Sequence, residues 1–179
     1  VGITIYDFNT KKRVHDICKI VDVFQPYVPG FLAFREVEHI LLVLKESIKE
    51  RPLFTPDVII VDGNGIYHSE GFGLACHLGV LCDIPTLGCG KTNFFVDGLS
   101  SDKVDKIAVD NLKKKKDFCF LKGDSGKIHG AAMRCSDTHN NNLIISQGHK
   151  ISLETCCIIV KELLNFKVVE PVRIADQLS

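Results

Sequence analysis

Apolar and polar residues alternate over the first eight positions, with Ile3 and Ile5 on one side and Gly2, Thr4 and Tyr6 on the other. That period of two belongs to a strand with one buried face. Asn9-Thr10-Lys11-Lys12 reads as a turn and Arg13 to Phe24 as a second strand, so a hairpin is expected to open the chain. The period then lengthens. Over Arg35 to Glu50, Val37, Ile40, Leu41, Leu44 and Ile48 recur at helical spacing with charges opposite them. Val58-Ile59-Ile60-Val61 is a continuous β-branched run, as a strand buried on both faces requires. Ser69 to Cys82 predicts a second helix despite its glycines, Pro85 to Cys89 a strand, and Ser101 to Lys116 a polar helix. Ile128 to Cys135 and Leu143 to Ser146 read as strands. Ser152 to Leu164 reads as a helix with Ser152 as N-cap and Glu154 at the positive end of the dipole. Strands first, then helices and strands in alternation, predict an α/β fold: a mixed sheet flanked by helices.

At 179 residues, with no internal repeat, residues 1–179 are expected to form a single domain. The 22 basic and 22 acidic residues cancel, so binding to a polyanion would have to rest on a local patch. Lys113-Lys114-Lys115-Lys116, with Lys103 and Lys106, is the candidate, and a solvated helix face is its ordinary alternative. No stretch approaches the roughly 18 apolar residues of a membrane span, and no basic start leads into an apolar run, so no membrane association is expected. The eight cysteines are scattered through apolar segments without metal-site spacing. They read as reduced core residues of a cytoplasmic protein, with the nucleus as a further location.

The candidate chemistry begins where the Val58–Val61 strand stops. Asp62 sits at the carboxyl end of a buried strand, where α/β sheets collect ligands, and Gly63 and Gly65 let a ligand come close to the backbone. An Asp-Gly turn is the plain alternative. Three further segments decide between the two: Pro26-Tyr27-Val28-Pro29-Gly30 running into Leu32-Ala33-Phe34-Arg35-Glu36, Ser146-Gln147-Gly148-His149, and Glu170-Pro171-Val172-Arg173-Ile174-Ala175-Asp176. With Asp62-Gly63-Asn64-Gly65 and His68, these segments resemble the endonuclease V family, in its eukaryotic branch, over nearly the whole chain and in the same order.

The resemblance implies a ribonuclease H-like sheet and a metal-dependent endonuclease acting on inosine-containing RNA, and on DNA as a further substrate. Cleavage would fall at the second phosphodiester on the 3′ side of the inosine. Glu36, Asp62 and Asp176 fall on the family's carboxylate positions and would hold magnesium, with manganese as substitute; Mg2+ takes oxygen ligands and keeps several waters, so a few converging acids suffice. Lys91 matches a lysine that approaches the scissile phosphate, and His68 a histidine that contacts the backbone phosphate. Tyr27 with Pro29 resembles the wedge that fills the space of an extruded base. Backbone at Gly30, Leu32, Gly63 and Gly73 would line a pocket for hypoxanthine that has no room for a 2-amino group.

One departure is plain. The family begins with another strand, central in the sheet, whose aspartate is the first metal ligand, and no such element precedes Ile3 here. Asp7 falls at the far end of its strand, in line with the turn, and does not replace it. A shortened form of this kind is expected to expose two apolar sheet edges, to self-associate as a dimer or larger assembly, and to cleave weakly. The alternative function is a catalytically inactive module that binds inosine-containing nucleic acid.

Overall fold

The structure is a computed structural model that describes residues 1–24, 28, 32–91, 93–138 and 142–179. Strands β1 (Gly2–Asp7) and β2 (Lys12–Cys18) form an antiparallel hairpin. Helix α1 (Leu32–Glu50) leads through a short 3-10 turn at Pro52–Phe54 to β3 (Ile59–Asp62). Then follow α2 (Leu74–Cys82), β4 (Thr86–Gly90), α3 (Ser101–Asn111), β5 (Phe118–Lys122), β6 (Ile128–Arg134), β7 (Asn142–His149), α4 (Leu153–Leu163) and α5 (Glu170–Leu178).

Five strands make one mixed sheet in the order β3-β4-β7-β6-β5, parallel between β3 and β4 and antiparallel elsewhere. Alternation sorts its side chains into two layers. Leu143 and Ile145 of β7, with Ala131 and Met133 of β6, pack under Cys156, Val160 and Leu163 of α4. Ile144 and Ala132 point the other way, to Val104 and Ala108 of α3. Val61 of β3 meets Val37 of α1 with Leu74 and Leu78 of α2 on that second face. The expected mixed sheet flanked by helices is therefore present.

The hairpin is a separate two-stranded sheet. Among the described residues no strand pairs with the outer edge of β1 or of β3, and a cavity of about 1180 Å³ lies between them. Ile40 and Leu44 of α1 wall it on one side, Leu163 and Val172 on the other. α5 spans the gap. A Cβ on Gly2 of β1 would come within 2.2 Å of the Ala175 carbonyl oxygen, and the Cys18 thiol donates to the Leu178 carbonyl at 2.7 Å.

Several boundaries differ from the sequence reading, each for a local reason. β2 stops at Cys18 rather than Phe24, because β1 offers no partner after the Lys19 N–H bonds the Val1 carbonyl at 3.0 Å; Ile20 is 99% exposed. α2 starts at Leu74 rather than Ser69, since the Gly71 N–H is taken by the His68 carbonyl and the Gly73 N–H by the Gly65 carbonyl. α3 ends at Asn111, so the lysine run is not a helix face. It forms a turn wrapped on Asp117, whose carboxylate accepts the Lys113 and Lys114 N–H groups at 2.9 and 2.7 Å. β5 and α5 are elements the apolar pattern did not mark. All eight cysteines are free, five of them buried, and burial pushes the Cys156 and Cys157 thiols up to about 12.

A clasp absent from the sequence reading ties the β4–α3 loop to the β5–β6 hairpin. The Asp97 carboxylate accepts from the Ser125 hydroxyl, from the Ser125 N–H at 3.1 Å and from His129 Nε2 at 2.8 Å. These donors, the Ser125 hydroxyl foremost, hold its carboxyl at about 2 against an ordinary 3.8. The folded state therefore binds the proton less readily than the unfolded chain, and the stabilisation is complete above 3.8 and fades as pH falls toward 2. Asp97→Asn should flatten the fall of Tm across that interval. Parallel slopes of Tm against pH for wild type and variant, followed by circular dichroism, would show that the clasp does not act this way.

Candidate active site

β3 delivers Asp62 at the carboxyl end of the sheet, and the chain turns at once through Gly63, whose φ of +154° excludes a side chain at little strain. The loop then lies flat on the sheet. Gly65 N–H donates to the buried Ser146 hydroxyl at 2.8 Å, Ile66 N–H to the Gln147 carbonyl at 2.9 Å, and Ala75 N–H to the Asn64 carbonyl at 3.1 Å. Gly73 must be glycine for a different reason, because a Cβ there would sit 2.3 Å from the Asn64 carbonyl oxygen. Gly63 and Gly73 are thus brought together around one backbone turn. Gly30, Tyr27 and Pro29 lie outside the described residues, and of Leu32, the first residue of α1, only the backbone is described.

The three candidate carboxylates arrive from three elements and line the same cavity: Glu36 from α1, Asp62 from β3 and Asp176 from α5. Glu36 lies in the second turn of α1, not at the helix start, so stabilisation of the helix dipole does not explain it. Desolvation raises its carboxyl, with the Arg35 charge opposing and the Asp62 charge adding to the rise. Asp176 occupies the last turn of α5, where the dipole disfavours an anion. Lys91, directly after β4, places Nζ 3.7 Å from the Asp62 carboxylate. Both partners are about half exposed, so the pair adds little stability and keeps the lysine beside the acid in open solvent.

The fit to a metal is partial. Glu36 and Asp62 are close enough for one charge to raise the other carboxyl, a repulsion that a cation relieves. Yet among the described residues no three His, Cys, Asp or Glu side chains form a group that could hold a metal ion. Asp176 shares the cavity without closing a three-carboxylate ligand set.

His68 differs from the exposed loop histidine that its surroundings suggest. It is 8% exposed, its ring packs on Phe94 at 4.9 Å between centroids, and Nδ1 accepts the Glu70 N–H at 3.3 Å. Burial lowers its pKa, so at neutral pH it is an uncharged imidazole with its hydrogen on Nε2. From Nε2 it can offer a phosphate a hydrogen bond. Ser146-Gln147-Gly148-His149 carried no role in the sequence reading. The structure gives it one: Ser146 and Gln147 hold the Asp62 loop, and His149 Nε2 lies 3.2 Å from Asp83 beyond α2. The period-two pattern marked the strand but could not show what its inward hydroxyl would meet.

A family model described as Endonuclease V matches residues 1–177. The human protein named Endonuclease V is 40% identical over 98% of this chain, and the mouse protein of that name 37% identical over 98%. The chain spans 62% of the length of the first and 52% of the second. A crystal structure of human ENDOV superposes with a TM-score of 0.93 at 39% identity, over 99% of this chain and 75% of that one. The Ciona intestinalis Endonuclease V, solved with a 23mer DNA containing an inosine followed by a ribo-adenosine, superposes at 0.91 with 28% identity, over 98% of this chain and 74% of that one. The hairpin, the mixed sheet and the helices on both its faces are thus those of a ribonuclease H-like fold, and the chain belongs to the endonuclease V family.

Proposed function

We propose that this chain is the inosine-directed endonuclease domain of a phosphodiester hydrolase that acts on RNA and, less readily, on DNA. The observation that carries the reading is the meeting of Glu36, Asp62 and Asp176 at one cavity, with Lys91 beside Asp62 and the Gly63–Gly73 turn adjoining it. Family membership supports it, as does the inosine-containing DNA bound by the Ciona relative.

Glu36, Asp62 and Asp176 would hold magnesium or manganese, which when bound neutralises charge on the phosphoryl group and supplies hydroxide at neutral pH. The chain's own groups do the rest. Lys91 faces the scissile phosphate, neutral His68 donates from Nε2 to a neighbouring phosphate oxygen, and Tyr27 with Pro29 fills the place of the extruded inosine. Cleavage falls at the second phosphodiester 3′ to that base. Because the carboxylates do not close on one point, metal binding is weak and turnover low. The open edges of β1 and β3 favour self-association. The protein works in the cytoplasm and in the nucleus.

Matched strands that differ only by ribose or deoxyribose beside the scissile phosphate test the substrate class. The ribose strand should be cut faster, through contacts to its 2′-OH, and both only when inosine is present. Faster cutting of the deoxyribose strand would overturn the RNA preference, and equal cutting of adenosine strands would remove the inosine reading. Binding selective for inosine without any cleavage would favour the inactive binding module.

A further inference from the structure

The sheet carries the lysine turn to the same end as Asp62. Strand pairing aligns Asp62 with Cys89, Cys89 with Ile145 and Ile145 with Ala131, so β6 runs parallel to β3 and its carboxyl end lies on the Asp62 side. Three strand spacings across and four residues along put Cys135, just past β6, about 20 Å from Asp62. There a groove of about 360 Å³ opens between Lys115, Cys135, Ser136, Phe166 and Lys167. Lys115 belongs both to the groove and to the turn.

A solvated run of charges needs no fixed backbone, and this one has it. Asp117 accepts the Lys113 and Lys114 N–H groups, Asp137 accepts the Lys115 N–H at 2.7 Å, and the Lys116 N–H bonds the Arg134 carbonyl at 2.8 Å. Lys116 is held at a φ of +71°, in the left-handed region that favours glycine. Both carboxylates thus serve the main chain. The Lys113 and Lys115 ammonium groups donate to the Val109 and Asn165 carbonyls, while those of Lys114, Lys116 and Lys167 have no hydrogen bond or ion pair among the described residues. The Lys114 N–H foremost, and with it the Lys161 charge, lowers the Asp117 carboxyl, so α4 adds a further lysine to the group. Ammonium groups crowded on a fixed frame repel one another, and a polyanion relieves that repulsion.

We propose that the lysine turn and its groove bind the sugar-phosphate backbone of the substrate strand several nucleotides from the inosine. The proposal rests on the inosine-directed reading above and adds to it a second anchor, which reads no base. A span of about 20 Å corresponds to roughly six nucleotides at the rise of a helical strand, and to fewer where the strand is extended. Occupancy of one site makes binding at the other intramolecular, so long strands gain affinity without any change in the choice of base.

The test uses inosine-containing RNAs lengthened step by step on the 5′ or the 3′ side, with binding followed by fluorescence polarisation at several salt concentrations and without divalent metal. Wild-type affinity should rise roughly 10-fold or more once one of the flanks reaches the turn. Lys114→Ala combined with Lys167→Ala should remove that rise. On the long strand it should also lower the slope of log K against log salt by about 1.4, two phosphate contacts at roughly 0.7 each. Circular dichroism, short-strand binding and the preference for inosine over adenosine should stay as in the wild type. No rise with length on either flank, a rise that survives the double variant, or an equal loss on short strands overturns the proposal, even where the wild type still prefers inosine. Absence of that preference in the wild type instead sinks the inosine reading, and the length step with its removal by the double variant then decides the lysine turn by itself.

Discussion

Asp62→Ala is expected to lower cleavage of an inosine-containing strand by roughly a hundred- to a thousandfold, the scale seen when one pre-arranged stabiliser of transition-state charge is removed. Binding should stay the same or tighten slightly. The asymmetry follows from where Asp62 sits. It is solvent-exposed and touches Lys91 only at 3.7 Å, so its loss neither opens the core nor strands a buried charge. Removing it also takes a negative charge from a surface that must meet phosphate, and frees Lys91 for that role. The backbone turn at Gly63–Gly65 is held by Ser146 and Gln147 rather than by the aspartate side chain, so base engagement survives. Cleavage in magnesium and fluorescence polarisation on the same strand measure the two quantities. Undiminished turnover would remove Asp62 from the chemistry.

The second large effect concerns assembly. A monomer of this chain leaves the outer edges of β1 and β3 facing the cavity between them. The unpaired N–H and C=O groups of an outer edge are a template for pairing with another strand. His39 of α1, which lines the same cavity, adds a buried Nε2 with no partner among the described residues. Neither strand carries the lysine or proline with which natural edges are blunted: β1 reads GITIYD and β3 IIVD. The apolar walls of α1, α4 and α5 fit an extended segment that is apolar on both faces. Residues 1–179 taken alone are therefore expected to sediment as a dimer or larger assembly at micromolar concentration, with cleavage measured in parallel. A stable, fully active monomer would contradict this expectation.

The elements that read clearly from sequence were those whose burial imposes a period. The α1 stripe of Val37, Leu41 and Leu44, the run at Ile59–Val61 and the N-cap Ser152, which accepts the Thr155 N–H at 3.2 Å, all fell where local physics put them. α5 was missed although its first turn holds Pro171 and its Glu170–Arg173 pair is bidentate at 2.9 and 2.7 Å. β5 was missed because the lysine run before it was assigned to a helix that in fact stops at Asn111.

Taken by itself, the sequence determined the family, the α/β class and the acids worth watching, because each rests on residue order and on periods of two and 3.6 that local backbone geometry enforces. Only the tertiary structure decided that Glu36, Asp62 and Asp176 share one cavity without closing on a point, that His68 is buried, and that Ser146 holds the Asp62 loop. It also decided that, among the described residues, the strands fall in two sheets. Desolvation, convergence and edge pairing depend on segments far apart in the chain, and no local pattern encodes the distance between them.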